Sequence, residues 1–168
     1  MGWFSSFGRK KKKQKQEENI STVRQGKVVA SDDVFKAWTS GNLDEMLQVV
    51  NLQTNLIDRH FLLQAIVTES YKLRNQGQFR EICIEFAEKH LSEFPAIAPV
   101  LKEDMGGKLP RVTTFQHYAT LLTENKEYEK AVTICEQAIA YGLQDGTKSG
   151  FEGRIARIEK KSGQENIR

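Results

Sequence analysis

A chain of 168 residues, 39% hydrophobic and 28% charged, carries enough apolar material for one domain with a sizeable core. No apolar run approaches the roughly 20 residues of a bilayer span, and Cys83 and Cys135 each sit inside an amphipathic pattern, as core-filling residues do, rather than in a disulfide framework. The net charge of +3 is uneven: residues 1–30 hold eight Lys or Arg against Glu17 and Glu18, so a basic arm precedes an acidic body.

The arm opens with Trp3, Phe4 and Phe7, which would share one face of a short helix, followed at once by Arg9, Lys10, Lys11, Lys12 and Lys13. Aromatic residues beside a cation cluster have the composition of a reversible membrane-surface anchor, and the same cations could meet nucleic acid phosphates or simply stay solvated. Gly2 with Ser6 also satisfies the short myristoylation pattern, against which the bulky Trp3 counts. The basic residues follow the apolar ones, the reverse of a secretory signal, so a cytoplasmic, peripherally membrane-associated protein is expected. Residues 14–30 are polar and poor in aromatics and read as a linker, making 1–30 a disordered arm.

Order is expected from Ser31-Asp32-Asp33, which offers N-cap oxygens to a helix through Val34 and Trp38. Ser40-Gly41 breaks it, and Asn42 with Glu45 resembles a capping box before Leu43, Met46, Leu47 and Val50. A long helix follows from Leu56 to Asn75. After the break at Gln76-Gly77-Gln78, a second helix carries Phe79, Ile82, Cys83, Phe86 and Ala87. Pro95, Pro99 and Pro110, with Gly106-Gly107, fall between Phe94 and Arg111, which predicts a separate short helix over 96–103 and then a loop. Thr113 with Gln116 predicts a capping box for the next helix.

The strongest pattern spans Val112 to Leu143. Phe115, Tyr118, Ala119 and Leu122 share one helical face; Tyr128, Ala131, Val132, Cys135, Ala138 and Ile139 share another. The polar segment Glu124-Asn125-Lys126-Glu127 leaves room only for a tight turn, so the helices run antiparallel, with small residues where they approach. This stretch resembles the tetratricopeptide repeat in the spacing of Phe115, Tyr118-Ala119, Leu122, Ala131, Cys135 and Ala138. It departs from that pattern in having Phe for Trp, Cys for the second-helix aromatic and no closing Pro. Ile66, Ser70, Leu73, Ile82 and Phe86 form a degenerate copy with the same internal register, 12 residues from Ser70 to Ile82 and from Ala119 to Ala131. Asp145-Gly146-Thr147 then turns into a last helix, Lys148 to Lys161, whose Phe151, Ile155 and Ile158 would close the exposed hairpin. Arg154, Arg157 and Lys161 fall on another face of it. Residues 162–168 read as a disordered tail.

The expected architecture is therefore all-α, a short TPR-like solenoid over residues 31–161 with a C-terminal capping helix. The resemblance implies a protein–protein adaptor whose first helices line a concave face, here through Gln64, Val67, Tyr71 and Arg74, then Gln116, Thr120, Thr123 and Glu124. The partner would be another protein or peptide, with an anionic membrane surface beneath the arm. The competing reading is a nucleic-acid or ribonucleoprotein accessory factor acting through the arm and last helix. No phosphate-binding loop, dinucleotide fingerprint or nucleophile elbow occurs, and His60, His90 and His117 lack metal-ligand spacing. Catalysis, a cofactor and a metal are not expected.

Overall fold

The computed structural model describes residues 21–165; the expectations placed on Trp3, Phe4, Phe7 and the Arg9–Lys13 cluster lie outside them. In chain order the elements are β1 (Ser21–Arg24), β2 (Lys27–Ala30), α1 (Asp33–Ser40), α2 (Leu43–Val49), α3 (Leu56–Lys72), α4 (Phe79–Asp104), α5 (Thr113–Glu124), α6 (Tyr128–Ala140) and α7 (Gly150–Glu165). The body is mostly helical, as the periodicity requires. α3 packs along α4 and α5 along α6; α3 and α4 both touch α5, α6 carries α7, and the short α1–α2 pair leans on α3. No described helix is long and apolar enough to cross a membrane.

Several local expectations hold because their chemistry is local. The Asp32 carboxylate caps α1 by accepting from the Phe35 amide at 2.7 Å, and Gly41 at φ 71° ends the helix in the left-handed region. Asn42 caps α2 through the amides of Asp44 and Glu45. Ala119, Ala131, Cys135 and Ala138 are fully buried, so α5 and α6 meet across methyl-sized side chains. Phe151 and Ile158 of α7 close the outer side of that pair.

Four expectations fail where long-range contacts decide. Residues 21–30 are not part of a disordered linker but a two-stranded antiparallel hairpin, with Arg24 opposite Lys27. Gln25 and Gly26, at φ 49° and 70°, form its two-residue loop in the left-handed conformation that matches strand twist. A hairpin this small is marginal alone; the body holds it. Arg24 pairs with the buried Asp58 at 2.6 Å and lies over the Phe35 ring, and the Gln25 amide donates to Asp104.

The helix expected over 96–103 is the continuation of α4, which runs unbroken to Asp104 with Pro95 and Pro99 inside it. Each proline removes a helical donor, yet both are exposed, so the freed carbonyls face water, while Phe94, Ile97, Ala98 and Leu101 on the other side are buried. Thr113 and Gln116 form no capping box. α5 has no side-chain cap of its own; instead Gln64, on α3, accepts from the Thr113 amide at 2.9 Å. Finally, residues 162–165 are helical and belong to α7, not to a tail.

Candidate functional site

The α3–α5–α7 side of the molecule gathers side chains that the core does not use. Tyr71 near the end of α3 stacks on His117 of α5, with ring centroids 4.1 Å apart and planes at 26°. The Arg74 guanidinium lies 4.1 Å from the Tyr71 centroid on a cation–π contact, and its Nε donates to Glu124. Arg80, on the first turn of α4, reaches the same carboxylate at 3.0 Å and the Asn125 side chain at 2.7 Å. The last turn of α5 is thus held by cations from the α3–α4 turn and the first turn of α4. This answers the negative end of the α5 dipole as well as the Glu124 charge.

On the other flank, Arg111 just ahead of α5 donates to the Gln116 side chain at 2.8 Å. Arg154 of α7 donates to the Thr120 hydroxyl at 3.1 Å and pairs with Asp145 at 3.1 Å. Asp145 is almost fully buried. Burial alone would raise its carboxyl, but bonds from the Thr147 hydroxyl and amide and from Arg154 outweigh that and hold it below the ordinary carboxylate range. Between α5 and α7 lies an open groove of about 230 Å³, bounded by Thr120, Thr123 and Glu124 on one side and Arg154, Arg157, Ile158 and Lys161 on the other. Burial lowers the His117 imidazole to about 4, and Arg111, Arg154, Arg74 and Lys72 add to the effect, so the ring is neutral at pH 7 inside a cationic surround.

The chain matches no family model, no curated protein and no solved structure.

The residues expected on a concave face divide. Tyr71, Arg74, Gln116, Thr120 and Thr123 are partly exposed and Glu124 is exposed, and all six share this side. Val67 does not: it is fully buried against α4, where its carbonyl is 3.5 Å from the Cys83 thiol, so it is a core residue. Gln64 is spent on capping α5. Arg111, His117 and α7's Arg154, Arg157 and Lys161 were not among the expected docking residues. The spacing of Thr113, His117, Thr120 and Glu124 at steps of three and four does put His117 on the same face as the threonines, and is the one signal that points to it.

A second polar feature lies deep in the core. His60 Nδ1 is 3.0 Å from His90 Nε2, and His90 Nδ1 is 2.7 Å from the Thr114 hydroxyl, joining α3, α4 and α5. All three residues are buried. His60 Nε2 has no partner. An orphan acceptor costs less than an orphan donor, so the favoured arrangement has His60 donating from Nδ1 to His90, and His90 donating from Nδ1 to Thr114. Burial lowers the His60 imidazole to about 4 and holds that of His90 well below its ordinary value, with His60 and Arg59 contributing to the second shift. Among the described residues no three His, Cys, Asp or Glu side chains gather so as to hold a metal ion. Burial pushes both cysteine thiols up to about 11, which makes them poor nucleophiles.

Proposed function

We propose that the chain is a TPR-like adaptor that docks another protein along its α3–α5–α7 face. The observation that carries this reading is the arrangement of α3 and α5. They are the first helices of two antiparallel pairs, they pack against each other, and they present partly exposed polar and aromatic residues beside an open groove. Helical pairs stacked in this way bury one side of each helix in neighbouring pairs and leave a continuous surface for a ligand. In this reading the aromatic and polybasic arm tethers the adaptor reversibly to the inner face of a membrane.

A photoreactive residue placed at Thr123, in the groove, tests the docking face against one at Thr133, exposed on the outer helix α6. In a native extract the Thr123 position crosslinks a discrete partner that survives nuclease treatment, and the Thr133 position does not. Equal crosslinking from both positions overturns the assignment of the face. The tether has its own test in vesicle sedimentation. Full-length protein pellets with anionic vesicles at low salt, and deletion of residues 1–13 abolishes pelleting while leaving Tm unchanged. A full-length protein that ignores anionic vesicles removes the tether from the proposal.

A further inference from the structure

We infer that the α3–α5–α7 face accepts an acidic, extended segment of its partner, carboxylate-bearing side chains lying along the groove wall of Arg154, Arg157 and Lys161, with Arg111 and the Tyr71–His117 stack on the same side of the molecule. The inference rests on the docking reading above and adds to it the chemistry of the occupant.

Charge is the first ground. Lys72, Arg74 and Arg80 of the first helical pair, Arg111 ahead of α5, and Arg154, Arg157 and Lys161 of α7 outnumber the carboxylates of this side, Glu69, Glu124 and Asp145. The body as a whole has the opposite balance, since most of the excess cations are in the first 30 residues. A cationic face on an acidic body is an exception that selects an anionic partner and speeds its approach.

The state of the cations is the second. Arg154 is fixed by Asp145 and Thr120, and Arg111 by Gln116, so their guanidinium groups are held in place before any partner arrives. Arg157 and Lys161 are exposed along the groove wall, and Arg157 is engaged only by the neutral Ser149 hydroxyl at 3.2 Å. These two are open to a charge-assisted bond with an incoming carboxylate, Arg157 in the two-pronged geometry that a carboxylate matches. Thr120 and Thr123 donate their hydroxyl protons to the carbonyls of Gln116 and Ala119, so neither has a proton left to offer an occupant. With Ile158 they give the groove floor an apolar strip between the charged walls. An occupant that alternates acidic and apolar side chains fits both.

The same features disfavour nucleic acid. Glu124, exposed between the cations, repels a phosphate backbone, and both faces of the Tyr71 ring are taken, one by His117 and one by Arg74, so that ring is closed to a base. The groove also ends within a few turns of helix, short for a polymer of phosphates and sufficient for a peptide.

The test uses the full chain and four fluorescent probes at low ionic strength: a peptide alternating Glu and Leu, its Gln–Leu and Lys–Leu counterparts, and a single-stranded oligonucleotide. Affinity is read by anisotropy and location by the imidazole signals of His117. The expected result is that the Glu–Leu peptide binds tightest and weakens with added salt. It also raises the His117 pKa from about 4, because a bound carboxylate offsets the surrounding cations. The double substitution Arg157→Gln with Lys161→Gln, at exposed positions that leave the fold intact, weakens that binding roughly tenfold. If the Gln–Leu peptide binds as well and the double variant is unaffected, the acidic occupant is wrong while the docking face stands. If the oligonucleotide binds tightest and moves His117, the partner class is wrong. If no probe moves His117, the inference falls, and crosslinking from Thr123 decides the docking face on its own.

Discussion

The two long helical pairs solve the same packing problem with opposite materials. α5 and α6 close on each other through Ala119, Ala131, Cys135 and Ala138, all fully buried and all small. α3 and α4 enclose Ser70 and the His60–His90 couple, with Arg59 and Glu93 in a two-pronged ion pair at 2.7 Å on the flank. The small-residue seam of Ala119, Ala131, Cys135 and Ala138 gains stability from close approach and dispersion and contains no histidine or carboxylate. The polar pair depends on its buried hydrogen bonds, and its buried imidazoles make its stability conditional on pH. Phe94 joins the two, touching His60 and His90 on one side and Phe115 and Tyr141 on the other.

Breaking that joint gives the largest expected effect. Phe94→Ala empties the centre of the aromatic cluster and destabilises by about 3–5 kcal/mol, seen as a fall in the urea midpoint. Because both pairs pack on this ring, they should unfold in one transition in the wild type. Two separated transitions in the wild type would show that the pairs are independent. Ala131→Leu probes the small-residue pair alone. Extra methylenes at a fully buried crossing cost about 1–3 kcal/mol, and an unchanged midpoint would show that α5 and α6 are less closely packed than described.

Acid should separate the pairs without any substitution. An imidazole whose folded pKa is depressed binds fewer protons folded than unfolded, so its contribution is fully present above the unfolded value of 6.5 and is lost as pH falls toward 4. His60 and His90 both have this sign, and Arg59 beside them opposes protonation further. His117 adds in the same direction from the exposed face. Stability measured by urea between pH 7 and 4 should therefore decline, and the triple substitution His60→Leu, His90→Leu and Thr114→Val should make the decline markedly shallower. Replacing all three members removes the bonds and the orphan together, which is why it need not be destabilising at pH 7. A triple variant with the wild-type pH profile would place the acid sensitivity elsewhere.

The same contrast explains what the sequence disclosed. The small-residue pair was legible because periodicity and residue size, both local, determine how α5 and α6 meet. Helix caps at Asp32 and Asn42 were legible for the same reason. The β1–β2 hairpin was not, because Asp58 and Phe35 hold Arg24 from other parts of the chain. Pro95 and Pro99 misled because a local rule against proline yields when the inner face of α4 is anchored and its outer face is wet. At the candidate site, the α5 threonines and Glu124 could be placed by spacing. The reach of Arg154 to Thr120 could not, since it depends on how α7, packed on α6, is placed beside α5.

The smallest expected effect tests the hydrogen bond by which the polar pair caps the start of α5. The Thr113 amide is among the first donors of α5, which have no partner inside their own helix, and the Gln64 carbonyl oxygen satisfies it from α3. The Thr68 and Thr113 hydroxyls, 3.2 Å apart, reinforce the same junction. Gln64→Ala should cost about 1 kcal/mol, the usual value of a partly buried bond whose donor is then left to water. Gln64→Glu keeps an acceptor at that place and sets a negative charge against the positive end of the α5 dipole, so it should match or exceed the wild type. The pair of variants separates two roles for this residue. A cap predicts a loss with Ala that Glu restores, in the urea midpoint, with affinity for the Glu–Leu peptide unchanged in the Ala variant. A docking residue predicts the reverse pattern, with peptide affinity lost and the midpoint unmoved, and would return Gln64 to the face from which its bond to Thr113 now removes it.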